Sequence, residues 1–109
     1  MKINIMEKNG IRILQFDGEF SVFFQEEIEK NINDNIDVAK EKLVLDLSDV
    51  NYLDSSGISI IVTTAQRIRG KINLAGCQPN VKYVLELAEI DELVEFYNNI
   101  DDAVKALTK

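Results

Sequence analysis

Between residues 42 and 68 the hydrophobic period changes once, and that change limits the folds open to the chain. "KLVLDL" (42–47) is short, apolar and rich in β-formers, as expected of a central strand covered on both faces. From Ser55 onward, Ile58, Ile61, Val62, Ala65 and Ile68 fall at i, i+3, i+4, i+7 and i+10, the stripe of an amphipathic helix. That helix should end near Gly70, with Arg67 and Arg69 in its last turn, where cations suit the dipole. "KINLAG" (71–76) then reads as a further strand. Strand, helix and strand in succession make a βαβ unit, whose strands lie parallel in one sheet.

The flanking segments extend the pattern. "INIME" (3–7) and "IRILQF" (11–16) alternate apolar and polar residues around Asn9-Gly10, a strong tight-turn signal, so the chain opens with a β-hairpin. Gly18 breaks the strand pattern, and Ser21 is placed to cap the first helix. In "SVFFQEEIEKNINDNI", Phe24, Ile28, Ile32 and Ile36 fall four apart on one helical face. Pro79 starts a helix with Val81, Val84, Leu85 and Ala88 inward. "LVEFY" (93–97) is a short strand, and "DDAVKALT" (101–108) a closing helix. The order ββαβαβαβα implies an α/β fold. Its sheet is mixed but mostly parallel, with an N-terminal hairpin and helices packed on the sheet, in a single domain over residues 1–109. Residues 48–57 then lie at a strand's C-terminal end, where such sheets place their functional groups.

Composition narrows the chemistry. Of 109 residues, 46% are hydrophobic, enough for one small core. Twelve basic against nineteen acidic residues give a net charge of −7. That balance disfavours nucleic acid and anionic membrane surfaces and is compatible with docking on a basic protein surface. The absence of histidine removes the usual general base and the Ser-His-Asp triad. One cysteine, Cys77, cannot form an intrachain disulfide. The N-terminus lacks the apolar core of a signal peptide, and no apolar run approaches the ~20 residues of a membrane span. These features point to a cytoplasmic location, without membrane insertion.

"NYLDSSGISII" (51–61) holds the candidate site. Asp54 or Ser55 serves locally as a helix N-cap, with Ser56 and Gly57 as small residues where helix meets sheet. The same geometry suits a phosphorylated serine, because unpaired N–H groups and the dipole favour a phosphate at a helix start. Asp54 beside it opposes the added charge of about −1.5 to −2. A phosphate there would therefore alter a binding surface strongly while sparing the fold. Spacing alone does not choose between the two readings.

Other constellations are weaker. No nucleophile-elbow pattern occurs, and Gly70-Lys71 lacks the upstream glycine of a phosphate loop. Asp46, Asp49 and Asp54 are unremarkable in an acidic chain, so no metal and no cofactor is expected. Cys77 reads as a small, semi-buried residue. Phe20, Val22 and Phe23 cannot all share the inward face that Phe24 leads. They either pack under the adjacent loop or form an apolar anchor for a partner.

"LVLDLSDVNYLDSSGISIIV" closely resembles the signature of STAS domains, specifically the bacterial anti-sigma factor antagonists. "ILQFDGEF" looks like that family's second strand and Gly-Glu turn. "RGKINLAGCQPNVKYVLELAEIDELVEFYNNIDDAV" follows its later strand and helix order, so the likeness covers nearly the whole chain. The resemblance implies a monomeric partner switch without enzymatic activity. The unphosphorylated antagonist binds a serine-kinase anti-sigma factor of the GHKL type, which frees a sigma factor. Phosphorylation by that kinase releases the antagonist, and a serine phosphatase resets it. The phosphoacceptor follows the motif's aspartate and maps onto Ser55. Asp54, Ser56 and Gly57 match neighbouring motif positions, and Phe20, Ser21, Val22 and Phe23 complete the expected partner surface.

Three positions depart from the family's pattern. Ser21 stands where an aspartate is common after Gly-Glu-aliphatic. Gly70 is alone where a glycine pair is usual, and Glu89 precedes Ile90 where a glycine is frequent. Ser21 motivates an alternative, a STAS adaptor in a transport or signalling complex that never uses phosphorylation.

Overall fold

A computed structural model describes residues 1–39 and 42–108. Its sheet has five strands in the order β1-β2-β3-β4-β5, namely Lys2–Lys8, Ile11–Phe20, Leu43–Leu53, Ile72–Ala75 and Val94–Tyr97. Only the β1–β2 pair is antiparallel. Four helices connect or follow these strands: α1 (Gln25–Ala39), α2 (Ser55–Ile68), α3 (Pro79–Leu87) and α4 (Ile100–Leu107). The expected order ββαβαβαβα is the observed one. Asn9 and Gly10 form the hairpin turn with φ of 53° and 79°, the doubly positive geometry for which Asn-Gly is suited.

Side-chain alternation along the strands divides the interior in two. Leu14, Phe16, Leu43, Leu45, Leu47, Ile72 and Leu74 face α1, α2 and α3 and form the larger core with Ile28, Ile32, Ile61 and Leu85. Because the strands add in sequence order through crossovers of one hand, these three helices share a face. The other face carries Ile11, Ile13, Val44 and Ala75, which α4 covers with Ala103 and Val104. Asn73 fastens α4 there, its buried Nδ2 donating to the Ala103 carbonyl at 2.9 Å.

Two strand ends run well past the sequence reading. Gly18 does not end β2: the strand runs on to Phe20, taking up the glycine (φ +141°) through irregularities in the β2–β3 register. β3 likewise continues past Leu47 to Leu53, paired with β2 as far as Phe20↔Leu53. The exposed Ser48, Asp49, Asn51 and Tyr52 around the buried Val50 hid this, since the strand's far half is open to solvent. As a result, the chain leaving β2 and the chain leaving β3 emerge side by side.

Candidate functional site

Asp54 links these two exits. Its backbone is extended (φ −112°, ψ −171°), and one carboxylate oxygen accepts the N–H groups of Ser56 at 2.9 Å and Gly57 at 3.1 Å. The second oxygen accepts the N–H of Val22 at 3.2 Å, and the Asp54 N–H donates to the Phe20 carbonyl at 3.2 Å. One residue thus caps α2 and fixes the segment after β2. Of the two candidate caps, the structure selects Asp54 and leaves Ser55 as the first helical residue.

Gly57 closes the junction by having no side chain. A Cβ there would stand 2.3 Å from the Phe20 carbonyl oxygen, 3.0 Å from Phe20 Cβ and 3.1 Å from Leu53 Cγ. Phe20 has little freedom to yield, being fully buried with its ring edge-on to Phe16 at 4.9 Å between centroids. The start of α2 is therefore clamped against the end of β2, and the surface beyond it is held in place.

The expected partner surface divides by burial. Phe20, Ser21 and Gly57 are buried and lie beneath the surface that the other residues form. Ser21 also fails as a cap: it precedes the 3-10 turn Val22–Phe24 but makes no capping bond, and its buried Oγ has no hydrogen-bond partner among the described residues. Asp54 and Ser56 are half-buried, whereas Ser55 is exposed. Val22 and Phe23 are 57% and 84% exposed, so they are open apolar side chains rather than packing under the loop. Phe24 tucks against the core, as its place at the head of the stripe requires.

Sequence reasoning missed Tyr52, half-exposed one residue before the buried Leu53. The alternation of Leu53 with Tyr52 was a usable signal, masked by ending the strand at Leu47. It also missed how α3 is attached. Gln78 Nε2 donates to the Ser48 carbonyl at 3.0 Å, and Asn80 Nδ2 to the Asn51 carbonyl at 2.9 Å, so the start of α3 braces the far half of β3.

Electrostatics at the α2 start are simple. Its first turn carries no acidic residue, and the Asp54 carboxylate already occupies the Ser56 and Gly57 N–H groups. A group added at Ser55 Oγ would meet that carboxylate as well as the positive helix end. The exposed Glu26 and Glu27, in the first turn of α1, share a shallow surface with Val22 and Phe23. Elsewhere, burial pushes the Cys77 thiol up to about 12, so it is protonated and a poor nucleophile at neutral pH. Asp46 lies within β3 and Asp54 just past its end, roughly 25 Å apart at ~3.3 Å per residue. Among the described residues, no group of three or more acids, cysteines or histidines could hold a metal ion. No described helix is long and apolar enough to cross a membrane.

The family model for the STAS domain matches residues 2–103. The chain belongs to the STAS domain family. Among curated relatives, it is 23% identical over 104 residues to the anti-sigma-F factor antagonist RsfB of Mycobacterium tuberculosis, covering 94% of this chain and 85% of RsfB. The crystal structure of an anti-sigma factor antagonist from Mycobacterium paratuberculosis superimposes with a TM-score of 0.89 at 23% identity, covering 99% of this STAS domain chain and 94% of the other. The Bacillus cell fate determinant SpoIIAA, an anti-sigma factor antagonist, has been solved unphosphorylated and phosphorylated. Both forms align with a TM-score of 0.72, at 14% and 15% identity, covering 97% of this chain and 97% and 99% of SpoIIAA. These likenesses establish the fold.

Proposed function

We propose that this STAS domain is an anti-sigma factor antagonist that docks on a serine-kinase anti-sigma factor and is released when Ser55 is phosphorylated. The observation that carries the reading is Ser55 itself, exposed at the first position of α2 directly after the Asp54 cap, which in turn holds the N–H of the open Val22. The names of RsfB and of the M. paratuberculosis protein support it, and SpoIIAA supplies the precedent of a phosphorylated STAS antagonist.

The physical logic is a charge added to a fixed surface. Ser55 Oγ attacks the γ-phosphoryl group of ATP held by the kinase, ADP leaves, and the hydroxyl proton passes to the kinase. The phosphoserine adds about −1.5 to −2 charges next to Asp54. Because that carboxylate already satisfies the nearest N–H groups, the new charge is left to oppose the partner. Apolar anchorage by Phe23 and Val22 supplies affinity before phosphorylation, as buried aromatic anchors do at protein interfaces. Asp54 and Gly57 hold the surface still, so little ordering entropy is lost on docking.

The test begins with capture from native lysate on the Ser55→Ala protein, which should retain a GHKL-type kinase. That kinase, given ATP and the unmodified protein, should place phosphate on Ser55 by mass spectrometry. Ser55→Asp should weaken the complex by about tenfold or more. Phosphate on another residue, equal binding by the two variants, or capture of transporter subunits instead would overturn the assignment. The last outcome would favour the phosphorylation-independent adaptor.

A further inference from the structure

The sheet face covered by α4 is only partly closed. Beyond the helix start lies a groove of about 520 Å³, with Met6, Ile13 and Ile100 among its apolar walls and Ser48, Gly76 and Asn99 among its polar ones. Its volume falls in the range of small-molecule sites, about 300–1,000 Å³. In its wall stands Asp46, 3% exposed. Asp46 Oδ2 accepts from Gln15 Nε2 at 2.8 Å and Oδ1 from the Ser48 N–H at 3.0 Å. A carboxylate has about four acceptor positions, so two stay open.

No cation among the described residues pairs with this carboxylate. Lys8, the cation in the groove's wall, is engaged with Asp101. Of the carboxylates in the groove's walls, Asp101 is paired with Lys8, whereas Asp46 has no partner of opposite charge among the described residues. Buried charges are normally paired, so a buried carboxylate beside an open apolar groove favours a cation supplied from outside. Gly76 keeps the approach clear. Its φ is +69°, and a Cβ there would stand 2.9 Å from Ser48 Cβ and 3.6 Å from Asp46 Oδ1.

We infer that this groove binds a small organic ammonium, whose charged nitrogen reaches Asp46 and whose apolar body lies on Met6, Ile13 and Ile100. The site is separate from Ser55, since Asp46 lies roughly 25 Å back along β3 at ~3.3 Å per residue. Its occupancy can therefore be measured whether or not Ser55 is a phosphoacceptor.

The test is an amide NMR titration of the intact chain with 2-phenylethylammonium, using 2-phenylethanol and 3-phenylpropanoate as neutral and anionic controls. Shifts should appear at Ser48, Gly76, Asn98, Asn99 and Ile100, with half-saturation at about 1–10 mM. Both controls should bind about tenfold more weakly or worse, and Asp46→Asn should lose about tenfold for the ammonium. Asp46→Asn keeps an acceptor for the Ser48 N–H, and its folding is read from the same spectra. Should it fail to fold, Met6→Lys on the exposed edge strand decides, because its own ammonium should displace the ligand. Equal binding by the alcohol, undiminished binding by the folded Asp46→Asn or by Met6→Lys, or shifts outside the groove would overturn the site. So would the absence of shifts at about 50 mM probe.

Discussion

The starts of α2 and α4 are built from the same device and finished differently. Each has a short polar cap in extended backbone: Asp54 accepts from Ser56 and Gly57, and Asn99 accepts from Asp102 at 2.8 Å. In α4 the next residues, Asp101 and Asp102, bring their own negative charge to the positive helix end, and Asp101 also pairs with Lys8. In α2 the equivalent turn holds two hydroxyls and a glycine. Both helix starts carry negative charge, α4 on two acids of its first turn and α2 on its cap, and α2 leaves neutral hydroxyls in its first turn at which charge can be added. The α2 start is also the more constrained, because Asp54 reaches back to Val22 and Gly57 sits against Phe20.

The sharpest way to break this contrast is at Gly57. Gly57→Ala forces a Cβ against backbone and should cost about 3 kcal/mol in chemical denaturation, near the upper end for overpacking. A loss below about 1 kcal/mol would mean that β2 yields easily and that the α2 start is not clamped. Gly70→Ala is the control, since its Cβ would meet nothing closer than the Ile68 carbonyl oxygen at 4.0 Å. It should be close to neutral.

Next come the caps themselves. Asn99→Ala should cost about 1 kcal/mol, and Asp54→Ala about 2 kcal/mol, because the latter also frees the Val22 N–H. Equal losses would show that Asp54 acts on α2 alone. Acid separates the two helix starts further. The Lys8 ammonium holds the Asp101 carboxyl below its usual range. A lowered folded-state pKa contributes stability above the unfolded value, and that contribution fades as the pH falls below about 4 through the folded value. The protection of amides at the start of α4, taken relative to their intrinsic exchange rates at each pH, should therefore fall on acidification in the native protein. In Lys8→Met, which lacks the ion pair, the fall should be smaller.

The smallest effects belong to the helix ends, which lack the provision made at the starts. Arg69 closes α2 and Glu89 follows α3, both with φ of 57°. A left-handed side-chain residue costs roughly 1–2 kcal/mol, partly offset by the entropy that glycine loses on folding. Arg69→Gly and Glu89→Gly should each raise stability by about 0.5 kcal/mol in thermal denaturation. A loss on either substitution would show that the side chain contributes more than its backbone strain costs.

These left-handed positions show how far residue patterns reach. Both sites where a family glycine is missing proved to need positive φ, although in α2 the residue concerned is Arg69 while Gly70 does without it. The stripe Phe24, Ile28, Ile32, Ile36 and the alternation of "IRILQF" located their elements because a buried face must repeat with its element's own period. Strand ends were harder. Gly18 and residues 48–52 carry turn-like chemistry, yet pairing with a neighbouring strand kept both segments extended.

The sequence by itself determined the order of strands and helices, the hairpin turn and the family motif that spans Asp54 to Gly57. These are local properties, written in spacing and in the conformational preferences of Asn, Gly and Pro. Only the tertiary structure decided that Asp54 is the cap, that Phe20 and Ser21 lie beneath the surface while Val22 and Phe23 stand on it, and that Asp46 faces a groove whose one cation is paired with Asp101. Those outcomes depend on which strands lie side by side and on what one short helix leaves uncovered. Burial, close approach and charge pairing are relations between distant parts of the chain, and they exist only once it has folded.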